Sequence, residues 1–71
     1  MEMLRENFFR AYANLPFSVL DEIVTVVDDK PVTWRVAYFE VKNNTDKAEQ
    51  ILNGLAKIGI ISYEQQLPKH P

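Results

Sequence analysis

Residues 23–42, IVTVVDDKPVTWRVAYFEVK, decide between two folds of this chain. The first part, IVTVV, contains β-branched residues that fit a strand as readily as a helix. The apolar residues around it nevertheless recur at steps of three and four, as they do in an amphipathic helix. These are Leu20, Ile23, Val24 and Val27. We therefore predict a second helix that begins with a capping box of Ser18 and Asp21 and ends in the turn 28–31.

The second part, VTWRVAYFEVK at residues 32–42, is compatible with either structure. As a helix capped by Thr33, it places Ala37 and Val41 on one side. As a strand, it would pair with IVTVV across the turn and give an α+β fold with a hairpin at 22–41. We favour the helix because a cap precedes it and two asparagines follow it. Amide chemical shifts of residues 32–41 would separate the two alternatives.

Residues 43–61, NNTDKAEQILNGLAKIGII, form the clearest predicted helix. On a helical wheel its apolar residues gather on one side and polar residues form a stripe on the other. The apolar residues are Ala48, Ile51, Leu52, Leu55 and Ile58. Asn44 or Thr45 can cap its start, and Gly59 stands where a left-handed residue ends a helix. Gly54 costs about 1 kcal/mol relative to alanine inside a helix, which indicates that another backbone comes close.

The two ends of the chain have simpler patterns. Residues 1–15 show the spacing of an amphipathic N-terminal helix, with an apolar face broad enough to serve either the core or a dimer. The candidate partner-contact residues on that face are Leu4, Phe8, Phe9 and Tyr12. In the middle of the chain, Trp34 and Tyr38 lie one helical turn apart, and we expect both in the core. From Ile61 to Leu67, alternating residues predict a short half-buried strand, and Pro68 ends it.

Composition excludes several classes of protein. The chain has 71 residues, no cysteine and one histidine, so it forms one domain without disulfides or thiolate metal sites. A core this small is marginally stable, which favours self-association as a homodimer. No apolar segment suits a membrane span or a signal peptide, and we expect a cytoplasmic protein. No nucleophile with a base, phosphate loop or metal spacing occurs, so we predict no enzyme, no cofactor and no small-molecule ligand.

Residues 16–67 resemble a winged helix-turn-helix domain, and the sharpest part of the likeness is ILNGLAKIGII at residues 51–61. The resemblance implies a three-helix winged-helix-like core at 16–67. With the N-terminal helix at 1–15 and a tail at 68–71 that we expect to be disordered, the chain is predicted to be mainly α with a short terminal strand. Too few residues follow Tyr63 for a return strand, so the wing is expected to be rudimentary or absent.

In that family the second helix of the motif lies in the major groove of DNA. The resemblance therefore implies a DNA-binding transcription regulator that uses helix 45–58 on double-stranded DNA. Carried over by position, the candidate nucleic-acid-binding residues are Asn44, Thr45, Asp46, Lys47, Gln50, Asn53 and Lys57. The formal charge of −2 supplies no general attraction to phosphate. A protein-protein interaction module of the same fold, without DNA binding, is the rival prediction.

Overall fold

The computed structural model describes residues 2–62, with the side chain of Glu2 left aside. In this part of the chain three α-helices accompany a two-stranded antiparallel hairpin, so the fold is mainly helical with a small sheet. In chain order the elements are helix α1 (Glu2–Ala13), a 3-10 helix (Phe17–Val19), strand β1 (Ile23–Val27), strand β2 (Lys30–Thr33), helix α2 (Trp34–Lys42) and helix α3 (Ala48–Lys57).

The predicted helix over IVTVV is wrong, because this run is strand β1. Val27 pairs with Lys30, and the two residues between them form a tight turn. Asp28 and Asp29 both have positive φ, 53° and 64°, which is the backbone of a type I′ turn. That turn matches the twist of a two-residue hairpin, and aspartate tolerates its left-handed conformation. The predicted turn is confirmed, but it joins two strands and does not end a helix.

A β-bulge in β1 changes which side chains face the interior. The register pairs Thr25 with Val32 and Ile23 with Thr33, so Val24 is the extra residue. Val27 is buried, and Val24 packs against the core, whereas Ile23 and Val26 are both exposed. In a regular strand, residues three apart point to opposite faces. The bulge therefore brings Ile23 and Val26 to the same outer surface.

Helix α2 follows the hairpin directly, and the predicted cap is confirmed. The side-chain oxygen of Thr33 accepts a hydrogen bond from the Val36 amide at 3.1 Å. The helix prediction for residues 32–42 is thus confirmed from Trp34 onward, and the alternative hairpin is correct only as far as Thr33. The predicted capping box of Ser18 and Asp21 is wrong, because Ser18 lies inside the 3-10 helix, whose N-cap is Pro16, and the Asp21 side chain binds Arg35.

Helix α3 ends as predicted but starts differently. Gly59 has a φ of 86°, and the amides of Gly59 and Ile60 donate to the carbonyls of Ala56 and Leu55. This pattern is a Schellman stop. At the start, neither predicted cap acts through its side chain. The Thr45 carbonyl accepts from the Ala48 amide, while the Thr45 hydroxyl binds Glu40.

Gly54 faces the hairpin, as a close approach requires, but its neighbour is a side chain and not a backbone. A Cβ atom at Gly54 would lie 3.2 Å from Oγ1 of Thr25. Helix α3 therefore packs closely against β1 at this position. The close approach that Gly54 indicates is therefore a contact within the chain.

The core lies between the three helices and the inner face of the hairpin. Its buried apolar residues are Leu4, Phe8, Leu20, Val27, Val32, Trp34, Ala37, Val41, Ala48, Ile51, Leu52, Leu55 and Ile61. Trp34 stacks on Phe8 at 6.0 Å between ring centroids, which confirms its predicted core position. The prediction for Tyr38 is confirmed in part, because this residue is half-buried and stacks on Tyr12 at 4.5 Å.

Two polar contacts fasten α1 to distant parts of the chain. Arg5 reaches the end of α2, where its guanidinium donates to the Val41 carbonyl and, at 3.0 Å, to Oδ1 of Asn44. A cation at a helix C-terminus is favourable because it meets the exposed carbonyls. The buried Asn7 donates through Nδ2 to the Ser62 carbonyl at 2.7 Å.

The predicted terminal strand lies mostly outside the described residues, as does the predicted tail at 68–71. Of its residues, Ile61 is buried and Ser62 half-buried, and neither belongs to a strand. None of the helices described here has the length and apolar composition needed to cross a lipid bilayer.

Candidate functional site

The predicted nucleic-acid-binding residues lie on and before α3, on the side away from the core. Six of them are exposed, and Thr45 is half-buried. Gln50 and Asn53 are one turn apart, with Lys57 on the following turn. The amide groups therefore face solvent, where they could make paired hydrogen bonds to a base edge.

Three of the same residues are engaged within the chain. Asn44 accepts from Arg5, and the Thr45 hydroxyl binds Glu40. Lys47 lies 3.7 Å from the Asp28 carboxylate, so an ion pair offsets its charge. Only Lys57 remains as a cation of this set without an ion pair among the described residues. The polar face of α3 consequently carries little of the positive charge that phosphate contact requires.

The predicted partner-contact residues of α1 divide into two pairs. Leu4 and Phe8 are buried in the core of the chain itself. Phe9 and Tyr12 are half-buried, and both rings contact Tyr38. The broad apolar face of α1 is therefore used largely for packing within the chain.

Five of the seven large exposed apolar side chains among the described residues lie on a different surface, and the other two, Ile58 and Ile60, lie at the end of α3 and just after it. We call the surface with the five the hairpin–α2 surface, and it consists of Phe17, Ile23, Val26, Val36 and Phe39. The exposed fractions are 81% for Phe17, 62% for Ile23, 61% for Val26, 46% for Val36 and 59% for Phe39. Single exposed apolar residues are common, but several large ones on connected elements mark an interaction site.

Backbone connections bring these residues together around Thr33. Thr33 pairs with Ile23 in the hairpin and caps α2 through the Val36 amide. Val36 and Phe39 are three positions apart on α2 and therefore share one side of the helix. The outer face of the hairpin thus continues into the outer side of α2.

Comparison with family models, with curated proteins and with solved structures finds no match for this chain.

Arg35 links Phe17 to the same region. Its guanidinium lies 5.6 Å from the centre of the Phe17 ring, and its Nε donates to Oδ1 of Asp21 at 2.9 Å. The hydrogen bond and the positive charge of Arg35 lower the pKa of Asp21 below its usual value. The carboxylate therefore stays ionised and holds the guanidinium beside the ring. This arrangement gives a highly exposed aromatic side chain a cation–π contact with a paired guanidinium.

The chemistry available at this surface is apolar contact. Among residues 2–62, no group of three or more histidine, aspartate or glutamate side chains is placed to hold a metal ion. The ion pair between Arg35 and Asp21 closes within the chain and is exposed. The surface can bury apolar area against a partner, and the Arg35–Asp21 ion pair beside it is already formed within the chain.

Sequence reasoning missed this surface because it predicted IVTVV as a helix with an inward apolar face. One signal was available in the turn. Asp28 and Asp29 precede a Lys-Pro pair, and aspartate at two consecutive positions suits a type I′ turn between strands. A hairpin prediction would have placed alternate residues of IVTVV outside. The bulge that exposes both Ile23 and Val26 carries no comparable signal, since no glycine or proline marks it.

Proposed function

We propose that the chain is a protein-interaction module that docks a partner through the hairpin–α2 surface. The observation that carries the proposal is the exposure of Phe17 and Phe39 beside three exposed β-branched residues. Aromatic side chains bring large apolar area and few rotatable bonds, so they are common anchors of protein interfaces. Leaving them in water gives the isolated chain no stability.

The position of this surface supports docking without refolding. Ile23 and Val26 lie on a hairpin whose inner residues Val27 and Val32 are buried. Val36 and Phe39 lie on a helix fixed by its Thr33 cap and by the buried Trp34. Anchors on such elements lose little conformational freedom when they bind, which favours association.

Site-directed photocrosslinking tests the proposal. A benzophenone amino acid is placed at Phe39 and, as the matched control, at Asn53 on the outer side of α3. Each variant is irradiated in cells of the native host. The proposal expects protein adducts at Phe39 and not at Asn53. Adducts at Asn53 with none at Phe39 would refute docking through the hairpin–α2 surface.

Double-stranded DNA is a second candidate partner, supported by one observation. Gln50, Asn53 and Lys57 are exposed on successive turns of α3, which follows α2 through a short turn as in a helix-turn-helix motif. On this proposal the chain is a winged-helix-like regulator with α3 in the major groove. The ion pair of Lys47 with Asp28 weakens the case, because that lysine would first have to leave its partner.

A fluorescence titration against mixed-sequence duplex DNA at low and moderate salt tests this candidate. DNA binding would weaken steeply as salt rises. Lys57→Ala would reduce affinity for all sequences, whereas Gln50→Ala would change sequence preference. Absence of binding at low salt would remove DNA as a partner and leave the polar side of α3 as solvated surface.

A further inference from the structure

We infer that the partner docked on the hairpin–α2 surface is a second copy of this chain, related to the first by a two-fold axis. This inference rests on the proposed function. In such a dimer both copies use the same surface. If one residue of the first copy contacts a second residue of the other copy, the same contact occurs again with the two copies exchanged. The area available and the balance of charge select this occupant, and the state of the two sheet edges determines how the copies meet.

The area fits a small two-fold interface. The five side chains expose 46% to 81% of their surface, which is about 500 Å² of mostly apolar area per copy. Two copies would remove about 1,000 Å² of it, and the polar rim would add to the total. That places the dimer near the lower limit of specific interfaces, where association is reversible and in the micromolar range.

The charges around the hairpin–α2 surface allow two copies of this surface to contact each other. Arg35 is paired with Asp21 within each copy, and the exposed Glu22 and Lys30, which precede Ile23 and Pro31, carry opposite charges. A strongly acidic or basic partner would find no complementary field here, whereas a second copy meets little repulsion.

The state of the sheet edges determines how the copies meet. Pro31 pairs with Val26 as a non-hydrogen-bonded pair, so the backbone nitrogen of Pro31 points away from β1, toward the outer edge of β2. Because proline has no amide hydrogen, this edge cannot donate a hydrogen bond there. On β1, the bulge at Val24 interrupts the run of backbone groups. The proline on β2 and the bulge on β1 both disfavour extension of the sheet by a strand from another copy. We therefore expect the copies to pack face to face through side chains and not to form one continuous sheet.

Sedimentation equilibrium across a concentration series tests the inference. The wild-type chain should show a reversible monomer–dimer equilibrium with a micromolar dissociation constant. Val26→Lys and Phe39→Lys each bring a charge into the interface and should raise that constant at least about tenfold. Asn53→Lys adds the same charge on the outer side of α3 and should change it by less than about twofold. Circular dichroism verifies that every variant keeps the helical fold, which exposed positions permit.

The outcomes separate this inference from the proposed function. A wild-type chain that stays monomeric at millimolar concentration, or a dimer unaffected by both Val26→Lys and Phe39→Lys, overturns the second copy as partner. If the Phe39 probe then captures a different protein, the docking function stands. If it captures none, both proposals fall. Slower amide exchange of Val26 on association would show strand pairing and overturn the face-to-face arrangement.

Discussion

Replacing Gly54 by alanine should have opposite effects depending on what stands at residue 25. Glycine inside a helix costs about 1 kcal/mol relative to alanine, so the helix term alone favours the substitution. The new Cβ, however, would lie 3.2 Å from Oγ1 of Thr25, closer than an ordinary van der Waals contact. Thr25 is held by its pairing with Val32, and its β-branched side chain has restricted χ1 freedom.

The balance can be stated as a double-mutant cycle. Overpacking of this kind costs about 1 to 3 kcal/mol, so Gly54→Ala in the wild-type chain should be neutral or destabilising. In a Thr25→Ala background the hydroxyl is gone, and the same substitution should stabilise the chain by about 1 kcal/mol. The coupling between the two positions is then about 1 to 3 kcal/mol.

Urea unfolding followed by fluorescence measures all four corners of the cycle. Trp34 is the single tryptophan and is buried against Phe8, so its emission reports loss of the core. Asn53→Ala serves as the control, because it raises helix propensity at an exposed position and should stabilise by roughly 0.5 kcal/mol in both backgrounds. Equal stabilisation by Gly54→Ala with threonine and with alanine at residue 25 would refute the packing argument.

Three further predictions use the same assay. Asn7→Ala removes the donor to the Ser62 carbonyl at a buried site and should cost about 1 to 2 kcal/mol; an unchanged urea midpoint would contradict the role of this contact. Asp29→Gly relieves a φ of 64° in the type I′ turn and should stabilise by about 0.5 to 1 kcal/mol, whereas Asp29→Val should destabilise. Arg35 holds the pKa of Asp21 below its value in the unfolded chain, so the pair contributes stability above the unfolded pKa, and this stability is lost as pH falls through the folded pKa. Asp21→Asn should flatten the acid side of the midpoint curve, and added salt should shrink the difference, because both groups are exposed.

The elements that the sequence predicted well are those with an unambiguous local signal. Four of the five apolar residues predicted on one side of α3 are buried, and the glycine at its stop has the predicted left-handed conformation, whereas Ile58 is the C-cap residue and is exposed. Thr33 was predicted as the cap of α2 because its hydroxyl can accept from the helix start, and it does so. These signals act within one or two turns of chain, so no knowledge of the packing was needed.

The hairpin was mispredicted for a physical reason that lies in the bulge. Val24 and Val27 both turn inward, three positions apart, which is a helical spacing inside a strand. A regular strand would have shown alternation and would have been recognised. The joint exposure of Ile23 and Val26 depends on that same bulge and was equally invisible. The function of the polar side of α3 stays a prediction, since exposure alone does not distinguish solvated amides from amides that bind a base.

The anchoring of α1 has a consequence for the order in which the chain folds. The carbonyl that accepts from Arg5 lies 36 residues further along the chain, and the carbonyl that accepts from Asn7 lies 55 residues further along. During synthesis from the N-terminus, α1 is made before the elements that cover it: Phe8 stacks on Trp34 only once α2 has been made, and Asn7 meets Ser62 only at the end of the described residues. Closing such long loops costs conformational entropy before the contacts at their ends contribute favourable free energy. The contacts among the hairpin, α2 and α3 are closer in sequence, so we expect them to form before α1 docks.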